Sequence, residues 1–283
     1  MHNFDKYNYD KQQLDKRSAD IIDVTLGEED RLEVLKNILG LIDLTTLSGD
    51  DNIKKVTDLC KKAVSFKSEE KGIPNVAAIC VYPVFSTLVS EMLFDTGLKT
   101  ACVAGAFPSG LSPLNIREQE VSYAVDNGAD EIDMVISRGR LIEGDENFIA
   151  EEVKRLKLMC GEAHLKVILE TGELKSVSLI RKASEISINS GADFLKTSTG
   201  KMNPAATHDA FLIMLDTIKE YYEKTGRKIG IKAAGGISTA DESIGYYLLV
   251  KSVLGDEWLN KDYFRIGASR LADNIYNEIV GVG

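Results

Sequence analysis

The fold is decided by two short apolar runs, IGIKAAGG at residues 229–236 and GADFLKTSTG at residues 191–200. Each has the length and the apolar composition of a buried strand, carries one lysine, and ends near a glycine that lets the backbone turn tightly. A lysine in such a run is costly to bury as a cation, so Lys196 and Lys232 are expected to be paired or to have a lowered pKa.

Similar runs recur along the whole chain. Eight candidate strands start about 24 to 35 residues apart, which is the length of a strand followed by a helix. Between them lie helical patterns such as that of Phe211, Met214, Leu215 and Ile218. Eight units predict an α/β fold, a (β/α)8 barrel, in preference to a doubly wound open sheet, for which six or seven strands suffice. The candidate strands are 41–47, 76–82, 100–107, 131–136, 165–170, 194–198, 229–234 and 264–267.

The residues ahead of the first strand predict an N-terminal extension. We expect residues 1–40 to form it and residues 41–283 to form the barrel. Within the extension a helix is expected over about 17–39, and residues 1–16 are expected to be loosely ordered.

Composition excludes several classes of function. The formal net charge of −10 argues against nucleic-acid binding, because phosphate backbones need a positive protein face. No apolar stretch is long enough to span a membrane, and the polar start has no signal-peptide core. Four separated cysteines without a C-x-x-C pair predict free thiols in a reducing cytoplasm. Three scattered histidines predict no metal site, which turns any carbonyl chemistry toward lysine.

Both lysines are expected at the mouth of the barrel, where the C-terminal strand ends form active sites. Alternation points Lys196 and Lys232 inward, and the small Gly230 and Ala234 are expected to leave space around the Lys232 amine. Neighbouring strands lie about 4.8 Å apart, so the two ammonium groups repel each other and one should titrate low. A neutral lysine amine can form a Schiff base with a carbonyl.

An aspartate on the fourth strand is the candidate proton carrier. Asp133 shares a face with Glu131 in an apolar run and is expected near the two amines. It could relay protons or hold a catalytic water, or it could be a buried salt-bridge partner of Lys196 or Lys232; the residues leave both open. A register shifted by one residue would make Asp130 and Glu131 the inward pair instead.

Glycine-rich turns after the last three strands predict a phosphate site. Backbone N–H groups at such turns, followed by a helix N-terminus, suit an anion, and barrels often place a phosphate after strands seven and eight. A lysine at the first turn could add a point charge. The residues concerned are Gly200 and Lys201, Gly235 and Gly236, and Gly267 with Ser269.

Six runs in this order resemble the class I, Schiff-base family of 2-deoxyribose-5-phosphate aldolases. The resemblance covers roughly residues 41–272 and is closest to the longer, bacterial-type branch that has an N-terminal extension. The runs are LIDLTTL (41–47), AAICVYP (77–83), GADEID (128–133), LKVILETG (165–172), GADFLKTSTGK (191–201) and KAAGG (232–236).

The resemblance implies a TIM barrel that reversibly cleaves 2-deoxyribose 5-phosphate to glyceraldehyde 3-phosphate and acetaldehyde, with no metal or organic cofactor. It implies Lys196 as the Schiff-base residue, Lys232 as the group that lowers its pKa, and Asp133 as a proton relay through water. The implied partners are the phosphorylated sugar and acetaldehyde, and a homodimer is one candidate assembly. The implied substrate-binding residues are Asp43, Thr45, Cys80, Lys166 and Thr199.

Two other functions stay open, a Schiff-base aldolase acting on a ketose phosphate and a non-catalytic barrel that binds a sugar phosphate. The chain also departs from the family pattern. Ser238 stands where arginine is usual and Arg270 where a small hydroxyl residue is common, which predicts a retuned phosphate pocket. The chain ends IVGVG at 279–283, without the terminal tyrosine of many relatives, which predicts slower proton transfer.

Overall fold

Eight parallel strands close into a barrel in the order of the chain, with the last strand paired to the first. The structure, a computed structural model, describes residues 2–281. It confirms the predicted (β/α)8 barrel. The strands are β1 Ile42–Thr45, β2 Ala78–Val81, β3 Lys99–Ala104, β4 Glu131–Val135, β5 His164–Ile168, β6 Phe194–Lys196, β7 Gly230–Ala234 and β8 Phe264–Ala268.

Helices surround the barrel, and those that follow the strands bury apolar side chains against them. Phe211, Met214, Leu215 and Ile218 are all buried, as their spacing predicts. The helices are α1 Lys11–Ile22, α2 Glu28–Leu39, α3 Ile53–Ser65, α4 Ser86–Met92, α5 Leu114–Asp126, α6 Arg138–Ile142, α7 Glu146–Cys160, α8 Thr171–Leu174, α9 Val177–Asn189, α10 His208–Thr225, α11 Ala240–Leu254 and α12 Leu271–Val280.

The N-terminal segment is more ordered than its composition predicts. It contains two helices, of which α1 packs on α10 and α11 and α2 packs on α11 and α12. Ahead of them, the backbone of His2 exchanges two hydrogen bonds with the Asn189 side chain, and the Tyr7 hydroxyl donates to Asp216 at 2.7 Å. The expectation of a loose start and a single helix was therefore wrong, whereas the division at residue 40 stays a prediction.

The barrel interior differs from the apolar layer under the helices. Outward-facing strand residues such as Ile42, Leu44 and Ile79 join that layer. Inward-facing residues of β2 and β3 form a small apolar cluster that includes Cys80 and Val103. The remaining strands point charged side chains inward, where barrels more often pack branched apolar ones.

The C-terminal end of the chain is helical up to Val280. Tyr276 lies in α12 with its ring centroid 5.3 Å from that of Phe66, so it packs in the helical layer. Residues 282 and 283, which belong to the tail discussed above, lie outside the described residues. Within residues 2–281, every helix is too short or too polar to cross a bilayer.

Candidate active site

The two lysines singled out by the sequence lie side by side in the barrel. Lys196 and Lys232 are register partners on the adjacent strands β6 and β7. Each amine lies 2.7 Å from the same carboxylate oxygen, Oδ2 of Asp133. Lys196 is 3% exposed and the other two are fully buried. One carboxylate oxygen therefore holds the two buried amines together.

The other oxygen of Asp133 belongs to a second set of contacts. Lys166 donates from Nζ to Oδ1 of Asp133 at 2.9 Å and to Oε2 of Glu131 at 2.5 Å. Glu131 and Asp133 both face inward, as the predicted alternation requires, because they stand two residues apart on β4. Asp130 instead lies at the strand's N-terminal edge, where its carboxylate accepts the Thr100 N–H at 2.8 Å.

Two further charged residues complete the cluster. Lys232 donates to Oδ2 of Asp43 at 2.5 Å, and Arg265 donates to Oδ1 of the same residue at 2.6 Å. Arg265 also donates to Oε1 of Glu131 at 2.7 Å. We call the seven side chains the ionic network: Asp43, Glu131, Asp133, Lys166, Lys196, Lys232 and Arg265. It has three acidic and four basic members, so it carries a surplus positive charge when all of them are ionised.

Burial and neighbouring charges move the pKa values of the two lysines in opposite directions. Burial lowers the pKa of Lys196; Asp133 opposes the effect and the charge of Lys232 adds to it. Burial alone would also lower the pKa of Lys232, but Asp133 and Asp43 outweigh it and raise that pKa. Lys196, with one carboxylate partner, is thus the amine that gives up its proton most readily. Burial lowers the pKa of Lys196 more than the charge of Lys232 does.

A cavity of about 370 Å³ opens above the network at the C-terminal ends of the strands. Lys196 lines it, and the other six members of the network lie beneath its floor. Its walls are the segments that follow β1, β6, β7 and β8. A small molecule in this cavity would meet the Lys196 amine at the bottom.

The turns expected to bind phosphate line the same cavity. Gly235 and Gly236 have φ of 89° and 84°, a left-handed conformation that glycine adopts without strain. The Lys201 amine lies at the rim and donates to the carbonyl of Leu47. The cavity-lining residues among those predicted are Gly200, Lys201, Gly235, Gly236, Gly267 and Ser269.

Comparison with known proteins adds to this geometry. The sequence pattern of the DeoC/LacD family aldolases matches residues 38–245. The chain belongs to this aldolase family. It is therefore an enzyme that makes or breaks carbon–carbon bonds, which agrees with the resemblance described above.

The individual relatives are named deoxyribose-phosphate aldolases. It is 42% identical over 266 residues to the human deoxyribose-phosphate aldolase, covering 90% of this chain and 83% of the human protein. It is 45% identical over 249 residues to the mouse deoxyribose-phosphate aldolase, covering 84% and 78% of the two chains. A deoxyribose phosphate aldolase from Aeropyrum pernix, described as a tetramer, shares the fold with a TM-score of 0.68 and 23% identity, covering 91% of this chain and 100% of that one.

The residues implied to bind substrate divide into two groups. Thr45 and Thr199 line the cavity of the aldolase. Asp43, Cys80 and Lys166 are fully buried below it, outside the cavity lining. Contact between substrate and these three therefore requires the floor around Lys196 to open.

Two charged residues of the aldolase were missed by the sequence reasoning. Arg265 is inward-facing in the short apolar strand FRIGA, the same signal that drew attention to Lys232. Glu170 follows β5 and accepts hydrogen bonds from the hydroxyl and the N–H of Thr199. Burial raises the pKa of Glu170, and the bonds from Thr199 partly offset the effect. Glu170 thus fixes the position of a cavity-lining side chain.

One expectation about space was wrong. A Cβ added at Gly230 would lie 2.3 Å from the ring of Phe194, so that ring occupies the room that Gly230 leaves. The room around Lys232 comes instead from Gly267, where an added Cβ would lie 3.0 Å from Cε of Lys232. Gly267 therefore lets Lys232 reach across to Asp43.

The two family departures, Ser238 and Arg270, both line the cavity. The Ser238 N–H donates to Glu242 in the first turn of α11 at 2.8 Å, which ties this residue to the helix start. Arg270 adds a guanidinium to the cavity lining, to which Lys201 also belongs.

Three neighbouring loops of the aldolase, those that follow β5, β6 and β7, are packed closely together. A Cβ added at Gly172 would lie 1.9 Å from the carbonyl oxygen of Pro204. A Cβ added at Gly235 would lie 2.5 Å from Cβ of Ala205 and 3.0 Å from Cα of Gly200. The segments after β5, β6 and β7 thus form one closely packed wall.

Across residues 2–281, no group of three or more His, Cys, Asp or Glu residues is arranged to hold a metal ion.

Proposed function

We propose that the aldolase reversibly cleaves 2-deoxy-D-ribose 5-phosphate to D-glyceraldehyde 3-phosphate and acetaldehyde through a Schiff base on Lys196. The observation that carries the proposal is the place of this amine, buried beside Asp133 and Lys232 and yet open to the cavity. Burial lowers the pKa of Lys196, which raises the fraction of neutral, nucleophilic amine at any given pH. The human and mouse relatives carry the name of this activity.

The chemistry follows from the network. The neutral amine of Lys196 adds to the C1 aldehyde of the open-chain sugar, and loss of water with uptake of one proton from solvent gives a protonated imine. This imine accepts the electron pair of the C2–C3 bond when the C3 hydroxyl loses its proton, which releases glyceraldehyde 3-phosphate and leaves an enamine. The enamine takes a proton at C2, and water then frees acetaldehyde. Asp133, in contact with the Lys196 amine at 2.7 Å, is the proposed proton carrier, directly or through water.

Phosphate recognition is proposed at the far end of the cavity. The turns at Gly200, Gly235 and Gly267 present backbone N–H groups, and Lys201 and Arg270 supply positive charge. A substrate held there by its phosphate would direct the aldehyde end toward Lys196. We also propose contacts of Thr45 and Thr199 with the sugar hydroxyls, since both line the space between.

Covalent trapping tests the proposal. Acetaldehyde and borohydride should leave an ethyl group on Lys196, found by peptide mass spectrometry. Lys196→Arg should abolish the adduct, whereas Lys201→Met should keep it and raise the KM for the phosphorylated sugar. Absence of the adduct in a protein that still binds deoxyribose 5-phosphate would support a non-catalytic binding barrel. Faster turnover of fructose or tagatose phosphates than of deoxyribose 5-phosphate would support the ketose-phosphate alternative.

Two coarser expectations belong to the same proposal. A cytoplasmic location is supported by Cys60, Cys80, Cys102 and Cys160, which are buried free thiols that a reducing compartment preserves. Cell fractionation tests it. A homodimer remains the candidate assembly, and light scattering of the purified chain distinguishes it from a tetramer like that described for the Aeropyrum protein.

A further inference from the structure

The ionic network places its one arginine at the end away from the substrate. Arg265 and Glu131 line a second cavity, of about 280 Å³, among the N-terminal ends of the strands. Lys196 lines the cavity at the opposite end. The hydrogen-bonded side chains between them connect the two ends through the interior of the barrel.

Arg265 differs from the other three cations in one chemical respect. A guanidinium does not lose its proton in proteins, whereas a buried lysine can. Arg265 is 2% exposed and contacts both Asp43 and Glu131. It is therefore a fixed positive charge among groups that exchange protons.

The contacts of the network show which cation is in surplus. Arg265, Lys232 and Lys166 each contact two carboxylates within 3 Å. In the described part of the chain, Lys196 contacts a single carboxylate, that of Asp133, which it shares with Lys166 and Lys232. Loss of one proton from Lys196 balances the network at three negative and three positive charges.

The groups that face Lys196 come from every side of the barrel. The β3 residues on this face, Ala101 and Val103, carry no charge. The charged and titratable groups are Asp43 of β1, Cys80 of β2, Glu131 and Asp133 of β4, Lys166 of β5, Lys232 of β7 and Arg265 of β8, with Glu170, Lys201 and Arg270 beyond the strand ends.

We propose that Arg265 is a positioning residue for the aldol reaction: by occupying Asp43 and Glu131 it makes Lys196 the surplus cation of the network. The inference rests on the Schiff-base function proposed above. It assigns to a side chain remote from the substrate the selection of the amine that becomes the nucleophile.

Three variants test the assignment. Arg265→Met leaves three carboxylates against three lysines, so Lys196 should keep its proton to higher pH. The double variant Glu131→Gln with Arg265→Met leaves two carboxylates against three lysines, so the network again has a surplus of one positive charge. Arg265→Lys keeps the charge and serves as the matched control. All are measured by the pH dependence of kcat/KM, and by ¹³C NMR titration of lysines labelled at Cε.

The expected result is a pattern across the three. Arg265→Met should move the acidic limb of kcat/KM and the Lys196 titration upward by about one pH unit, which lowers kcat/KM by up to about tenfold at pH values on the acidic limb. In the double variant and in Arg265→Lys, the acidic limb of kcat/KM and the Lys196 titration should both lie within a few tenths of a pH unit of their wild-type positions. If the role of Arg265 were purely structural, all three variants would have a lower plateau value of kcat/KM, and the acidic limb of the pH profile would stay at its wild-type position. That result overturns the proposal.

Two further outcomes are decisive. If Arg265→Met does not fold, Glu131→Gln decides alone: two carboxylates then face four cations, and the Lys196 titration should fall below its wild-type position. An unchanged or raised titration would overturn the proposal. The NMR titration needs no aldehyde chemistry, so failure of wild-type trapping at Lys196 contradicts the Schiff-base function separately from the role of Arg265.

Discussion

Replacing each of the two central lysines by methionine should change stability in opposite directions. Methionine matches the length of the lysine stem and removes the charge. Lys232 contacts two buried carboxylates, at 2.5 Å and 2.7 Å, and its removal leaves Asp43 and Asp133 short of a cation. Breaking a buried ion pair from one side costs about 3–5 kcal/mol. Lys232→Met should therefore lower Tm by roughly 10 °C, at about 2–4 °C per kcal/mol.

Lys196→Met should leave stability unchanged or raise it by about 1 kcal/mol, because replacing a buried ion with an apolar side chain of similar size is often neutral or favourable. The folded-state pKa of Lys196 is lowered, chiefly by burial, so folding carries a penalty below the unfolded pKa of about 10.4. The advantage of methionine should be large at neutral pH, shrink as pH rises toward 10, and vanish above the unfolded pKa of about 10.4. Catalysis should be lost in both variants.

Urea unfolding followed by the fluorescence of Trp258, the one tryptophan of the chain, measures both changes. Lys154→Met on the exposed face of α7 is the matched control and should stay within about 0.5 kcal/mol of wild type. Equal losses in Lys196→Met and Lys232→Met would refute the reasoning, since the two amines would then contribute equally to the network. The reverse order would refute the assignment of Lys196 as the surplus cation.

Three further predictions concern two carboxylates of the ionic network, one glycine of β7 and two buried thiols. Coulombic attraction to the cations outweighs burial and holds the pKa values of Glu131 and Asp133 below their usual range, so both stabilise the fold above about pH 4 and that contribution is lost as pH falls further. Urea midpoints that stay constant from pH 6 to pH 3 would contradict this. Gly230→Ala should lose about 1–3 kcal/mol because its Cβ would meet the Phe194 ring, and Phe194→Leu in the same chain should recover part of the loss in a thermal melt. Burial raises the pKa of Cys60 to about 11 and of Cys160 to about 12, so iodoacetamide should label them only after unfolding; labelling of the native protein at pH 8, read by mass spectrometry, would count against their burial.

Side-chain alternation explains how much of the site could be read from the sequence. Period-two patterning in short strands is local, and it is sufficient to predict that Lys196, Lys232 and Asp133 face inward. The partners of Arg265 could not be found in this way. They depend on closure of β8 against β1 and on contact across the barrel to β4, which bring together residues more than a hundred positions apart.

Non-local contacts also explain what was missed elsewhere. The segment ahead of α1 is polar and predicts disorder, but it is held by Asn189 and Asp216, which lie far along the chain. Phe194 fills the space beside Gly230 because strand register, which no local pattern encodes, aligns the two residues. The glycine turns were easier to find, because the need for a left-handed backbone is a property of each position alone.

The tight wall formed by the loops after β5, β6 and β7 bears on attempts to retailor this enzyme for other aldehydes. At Gly172 and Gly235 even a methyl group would collide with neighbouring main chain or Ala205, so libraries that randomise these positions should consist largely of misfolded clones. Elsewhere on the rim, Ser48, Ser269 and Arg270 already present side chains that line the cavity. Diversity introduced there can alter the breadth of accepted substrates while the nucleophile and its surroundings stay intact.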